Sequence, residues 1–118
     1  MNVKILAFLL LATIVGWVTY AYAVVTNAGA YYSAGAGQYA VNINSATTLT
    51  VPAGSGVAQI CIESQAARYR DDGTNPTATT GIPVAVGCFQ YFGPLNKVAF
   101  IGQVAGSTLD VSYYKSSN

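Results

Sequence analysis

Four charged side chains crowd into the stretch Arg68-Tyr69-Arg70-Asp71-Asp72, in a chain of 118 residues that has only five basic and four acidic residues in all. Residue types at this spacing can do three things. In an extended backbone Arg68 and Arg70 face one side and Tyr69 the other, so the guanidiniums can fork toward the carboxylate of a neighbouring subunit. Asp71, Asp72 and Asn75 offer hard oxygen ligands, but the D-x-[DN]-x-[DN]-G spacing of a calcium loop is missing and no metal site is assigned. The plainest reading is a self-neutralising surface loop. Its carboxylates would cap turn N–H groups or pair with the arginines, and each exposed pair would contribute ~0 to 1 kcal/mol. The first reading makes Arg68, Tyr69, Arg70, Asp71 and Asp72 interface candidates.

Catalysis has little to stand on. The chain contains no histidine, so a Ser/His/Asp or Cys/His arrangement is impossible, and its two cysteines are too few for a zinc site. Asp71 and Asp72 are adjacent, which points their side chains apart in extended backbone. No P-loop or dinucleotide glycine pattern is present, and five basic residues form no phosphate-binding stripe. The expectation is a non-enzyme with no cofactor, no small-molecule substrate and no direct nucleic-acid contact. Nine tyrosines remain to be explained. Tyr31, Tyr32, Tyr39, Tyr91, Tyr113 and Tyr114 are either strand residues that pack or a protein- or sugar-contact surface, and the terminal pair Tyr113-Tyr114 joins the interface candidates. Cys61 and Cys88 both fall on the polar parity of their strands. They form a candidate disulfide worth ~3.5 kcal/mol if the strands are neighbours in an oxidising compartment, and two unlinked small residues in a reducing one.

The elements that hold these residues begin with an apolar leader. Ile5 to Ala23 runs 19 residues without a charge. As a helix it would measure roughly 28 Å, close to the thickness of a bilayer core. Trp17, Tyr20 and Tyr22 gather at its end as interfacial aromatics do, which favours a retained transmembrane anchor with a cytoplasmic N-terminus. Lys4, the apolar run and Ala21-Tyr22-Ala23 equally make a cleavable signal peptide over residues 1–23. Residues 24–37, rich in Gly, Ala and Tyr, read as a linker.

From residue 38 the period is two. Tyr39, Val41 and Ile43 alternate with polar or small residues, as do Leu49 and Val51, then Ala58, Ile60 and Ile62, and finally Leu109, Val111 and Tyr113. Further strands are expected at Cys88 to Phe92 and Lys97 to Gln103, with turns such as Pro52 to Gly56 between them. Short strands at close spacing without a helical period predict an all-β domain over residues 38–118. The expected architecture is a small antiparallel β-sandwich, Greek-key or jelly-roll-like, preceded by a single N-terminal hydrophobic helix.

The segment Ala66 to Gly87, an aromatic strand, and then Lys97 to Lys115 resemble the C-terminal part of small virion structural proteins of bacteriophages. The likeness rests on Arg68, Tyr69, Asp71, Asp72, Gly73, Thr74, Pro76 and Thr77, then Gly81 and Pro83, and last Tyr113, Tyr114 and Lys115. The resemblance implies a compact, non-enzymatic β-module of capsid, decoration or fibre type, present in many copies and contacting capsid or other virion proteins. The added apolar leader suits a virion that contains a lipid membrane, with residues 5–23 in the bilayer. The alternative class is an exported bacterial surface module, an adhesin or carbohydrate-binding domain.

Overall fold

The computed structural model describes residues 30–117, which lie almost wholly in one compact unit, Tyr31 to Ser117. The leader expected as an anchor or signal, residues 1–23, lies outside the described residues, as does the linker up to residue 29. Among the described residues no helix is long and apolar enough to cross a membrane.

Every regular element described is a strand: β1 (Tyr31–Ser33), β2 (Gln38–Asn42), β3 (Thr47–Thr48), β4 (Val57–Glu63), β5 (Ala67–Arg70), β6 (Ile82–Val84), β7 (Gly87–Tyr91), β8 (Ala99–Gly102) and β9 (Thr108–Ser116). They form two antiparallel sheets packed as a sandwich, one in the order β1-β9-β4-β7 with β2 also on β9, the other in the order β3-β8-β5-β6. Four of the pairings are nested: β2 with β9, β3 with β8, β4 with β7 and β5 with β6. Each strand therefore pairs with the one equally far from the β5–β6 connection. The chain behaves as one long hairpin whose successive rungs fall alternately in one sheet and the other, and the β4–β9 and β5–β8 pairings close each sheet.

The expected alternation builds the core. Ala58, Ile60 and Ile62 of β4 and Leu109, Val111 and Tyr113 of β9 are buried and face Ala67 and Phe100 of the other sheet, with Leu95 and Val98 contributed by the connection before β8. Side chains of successive strand residues point to opposite faces, so one polarity period of two places a whole row of apolar groups inward. Each fully buried aliphatic or aromatic side chain contributes ~1.5 to 3 kcal/mol. Leu49 and Val51 pack on the same core from outside β3, although only Thr47 and Thr48 of their run pair as a strand.

Two expectations need correction. Tyr39 was expected to face the core with Val41 and Ile43, yet it is 67% exposed. A β-bulge separates it from them: Gln38 lies opposite Val111 while Val41 lies opposite Leu109, three residues against two. Ala40 takes up the extra residue at φ 53°, a left-handed conformation that costs an L-residue about 1 to 2 kcal/mol, and its N–H donates to Asp110 Oδ1 at 2.6 Å. The bulge reverses the parity before it, so Gln38 turns inward, where its Oε1 accepts from the Tyr113 hydroxyl at 2.5 Å and from the Thr50 N–H at 2.8 Å. The second correction concerns the linker. Tyr31 to Ser33 pair with Tyr114 to Ser116, and the Ala34 N–H donates to the Tyr113 carbonyl at 2.8 Å. β9 is longer than β2 can cover, and β1 satisfies the backbone groups that would otherwise be left at its far end. The compact unit therefore begins at Tyr31 rather than at residue 38.

Candidate functional site

The charged segment is a closed system. β5 and β6 pair antiparallel, with Arg68 opposite Pro83 and Tyr69 opposite Ile82, so residues 71–81 form the loop that joins them. As expected for an extended stretch, the two arginines and the ring diverge. The Tyr69 ring packs inward, edge-on to Tyr91 at 6.0 Å between centroids and tilted on Phe100 at 5.6 Å. Arg68 bends over its own loop and donates from Nε to the Ala78 carbonyl at 3.1 Å and from Nη1 to the Gly81 carbonyl at 2.9 Å. Arg70 forms a two-pronged ion pair with Asp72, at 3.3 Å from Nε to Oδ1 and 2.5 Å from Nη2 to Oδ2. Asp72 also caps the turn, accepting from the Thr74 N–H at 3.0 Å and the Thr74 hydroxyl at 2.6 Å. These donors hold its carboxyl well below the usual carboxylate range, the Arg70 hydrogen bond first and the Thr74 bonds next, and the same bond raises Arg70.

Asp71 turns the other way and accepts from the Tyr91 hydroxyl at 3.3 Å. Burial, with the Asp71 charge next in importance, pushes that phenol up to about 12. Gly81 completes the loop where only glycine fits: its φ is +132° and a Cβ would stand 2.9 Å from the Tyr69 carbonyl oxygen. Arg70, Asp71, Asp72, Thr80, Gly81 and Ile82 line a depression of about 260 Å³. Both arginine forks are thus occupied by acceptors of the same segment, which is the self-neutralising reading. Among the described residues no group of three or more Cys, Asp or Glu assembles where it could hold a metal ion.

The terminal tyrosines separate. Tyr113 is 1% exposed and belongs to the core, so it leaves the set of contact candidates; burial pushes its hydroxyl up to about 12. Its parity in β9 faces the other sheet. Tyr114, one residue on, faces outward and joins a second neighbourhood, apart from the charged loop.

This second neighbourhood is the outer face of the larger sheet. Register places Val57 opposite Tyr114 and Gln59 opposite Gln90, with Ser33 beyond Tyr114 on β1. Tyr31, Val57, Gln59, Gln90, Phe92 and Tyr114 line a shallow depression of about 200 Å³ without a charged residue. Tyr31 and Phe92 are 59% and 66% exposed. Farther along the face the Tyr39 hydroxyl lies 3.3 Å from Ser112 Oγ. Cys61 and Cys88 stand opposite each other on β4 and β7, with Cα atoms 4.0 Å apart, and are joined by a disulfide. Phe92, Val57, Gln59 and Gln90 were not singled out from sequence. Their signal was weak but present: they share the solvent parity of strands whose other parity is core, where an aromatic ring has no packing reason to be.

What this face can do is recognition rather than bond-making. Three rings, two of them phenols, and two amides offer stacking, hydrogen bonds of either sense and no charge. No protein-family model, curated protein or solved structure matches the chain. Strand topology and surface chemistry are therefore what bear on function.

Proposed function

We propose that the chain is a non-enzymatic virion structural protein of a bacteriophage, a β-domain that contacts or caps the capsid lattice in many copies while residues 5–23 hold it to a bilayer. The nested strand order carries this reading. A hairpin whose four rungs are rolled into two sheets, two rungs in each, follows the jelly-roll pattern, with β1 and β2 together forming one edge, and that architecture recurs in viral capsid and lectin domains. Fold alone does not assign function, so this support is by analogy. The resemblance of Ala66 to Lys115 to phage virion proteins points the same way. The Cys61–Cys88 disulfide suits a domain that matures outside the reducing cytosol. Weak contacts made by each copy would be multiplied by repetition across a lattice.

The test is fractionation. Density-purified particles should contain the chain at a fixed number of copies per major capsid protein, and lipid extraction should release it. Finding it in the envelope of uninfected cells and absent from particles would refute the virion reading.

A second reading, an exported surface module that binds carbohydrate, is favoured by the uncharged depression of Tyr31, Phe92, Tyr114, Gln59 and Gln90. Aromatic faces with adjacent amides fit a neutral polyol. A glycan array probed with the full chain in detergent distinguishes the two: selective binding lost on Phe92→Ala supports the lectin class, and no binding leaves the virion class.

A further inference from the structure

A sandwich of two open sheets has edges, and an uncovered edge presents unpaired N–H and C=O groups to any other strand. Three of the edges in this fold are blunted. β3 is two residues long. β6 carries Pro83, which has no N–H to donate. The β1/β2 edge is divided by residues 34–37 and bent by the bulge at Ala40. β7 has none of these devices. Its five residues pair regularly with β4 on one side, and Val86 to Gly93 contains neither proline nor charge.

The direction of its backbone groups follows from the disulfide pair. Cys61 and Cys88 are directly opposite with Cα atoms 4.0 Å apart, the close spacing of a non-hydrogen-bonded pair, against ~5.5 Å for a hydrogen-bonded one. The N–H and C=O of Cys88 therefore point away from β4, and by alternation so do those of Gln90. Both residues are exposed. Gly87, Phe89 and Tyr91 use their backbone groups on β4.

We propose that β7 is a self-pairing edge, and that two copies of the chain join antiparallel about a two-fold axis at Phe89 to make one continuous sheet. The strand is symmetric for this purpose. With Phe89 on the axis, Cys88 lies opposite Gln90 of the partner subunit and Gln90 opposite Cys88 of the partner subunit, so all outward groups of both residues find partners. The flanking Val86 and Phe92, 55% and 66% exposed, lie just outside the two ends of β7 and equally far along the chain from Phe89, so the two-fold places each near the other's end of the paired strands. A stretch without charge meets itself without repulsion. This inference rests on sheet geometry and not on the virion reading, and either can fail alone.

The experiment is sedimentation equilibrium of the full chain in detergent micelles, with Gln90→Pro as the variant. Proline removes an N–H that the register turns away from β4, so the disulfide and the β-sheet circular dichroism should survive, while two interchain hydrogen bonds are lost per dimer. The dissociation constant of the dimer is expected to rise about tenfold or more. A monomeric wild-type chain, or self-association that Gln90→Pro leaves unchanged, overturns the proposal. A benzoyl-phenylalanine at position 92 of the otherwise native chain gives a readout independent of the proline's effect on folding. Crosslinks to the peptide around Val86 are expected, and crosslinks only to β1, β3 or β6 peptides overturn the pairing.

Discussion

Breaking the Cys61–Cys88 bond tests the fold most directly, because its effect can be worked from the topology alone. The bond closes a loop with a sequence separation of 27. The chain-entropy relation then gives about 3.5 kcal/mol at 25 °C, the freedom denied to the unfolded chain. Both cysteines lie on the outer face, Cys61 half-buried and Cys88 exposed, so replacing them with alanine removes little packing. The loss should therefore come almost wholly from loop closure. Cys61→Ala, Cys88→Ala and the double variant should each lose about 3.5 kcal/mol in urea unfolding followed by circular dichroism, since any of them breaks the same bond. For a domain of this size the melting temperature should fall by about 14 to 28 °C. A double variant within about 1 kcal/mol of wild type would refute the loop-closure reasoning. So would single-variant losses that add up in the double variant, because additivity would mean that side-chain packing carries the effect.

Three further outcomes follow from the geometry. Asp110→Ala should cost about 0.5 to 1.5 kcal/mol by exchanging the exposed bond from the Ala40 N–H for one to water, with Asp110→Asn intermediate; urea midpoints and the exchange rate of the Ala40 amide check it. Tyr91 and Tyr113 ionise near 12 in the folded chain against ~10 when unfolded, so the folded state holds more protons between those values and stability should fall as pH rises through that window. Urea midpoints that stay level across it would contradict the burial of both hydroxyls, and Tyr91→Phe should flatten the slope. Gly102→Ala would set a Cβ 2.7 Å from the Val104 carbonyl oxygen and 2.9 Å from Ser107 Cβ, and a loss of about 1 to 3 kcal/mol in thermal unfolding is expected where backbone cannot yield.

Much of the sandwich was legible in the chain. The rows Ala58-Ile60-Ile62 and Leu109-Val111-Tyr113 declared their inward faces because side-chain polarity alternates with the pleat, and Tyr69 declared its face by standing between two arginines. The candidate site was less legible. For Arg68 a fork toward a neighbour stayed open beside the self-neutralising loop, because nothing local reveals that the β5–β6 pairing brings the Ala78 and Gly81 carbonyls within its reach. The outer depression drew residues from β1, β4, β7 and β9, together with Phe92 just after β7, and no window of sequence contains them.

By itself the sequence determined that the residues from 38 onward make strands, which face of most of them is apolar, and that no histidine-based chemistry is open to the chain. Only the tertiary structure decided that Tyr39 points out and Gln38 in, because the bulge at Ala40 is held by Asp110, 70 residues away. It likewise decided that Cys61 meets Cys88, that Tyr113 is core while Tyr114 is surface, and that among the described strands β7 pairs only with β4. The physical reason is one of range. Polarity along a strand is a property of neighbours and can be read from them, whereas register, bulges and edges are set by which distant strand lies alongside.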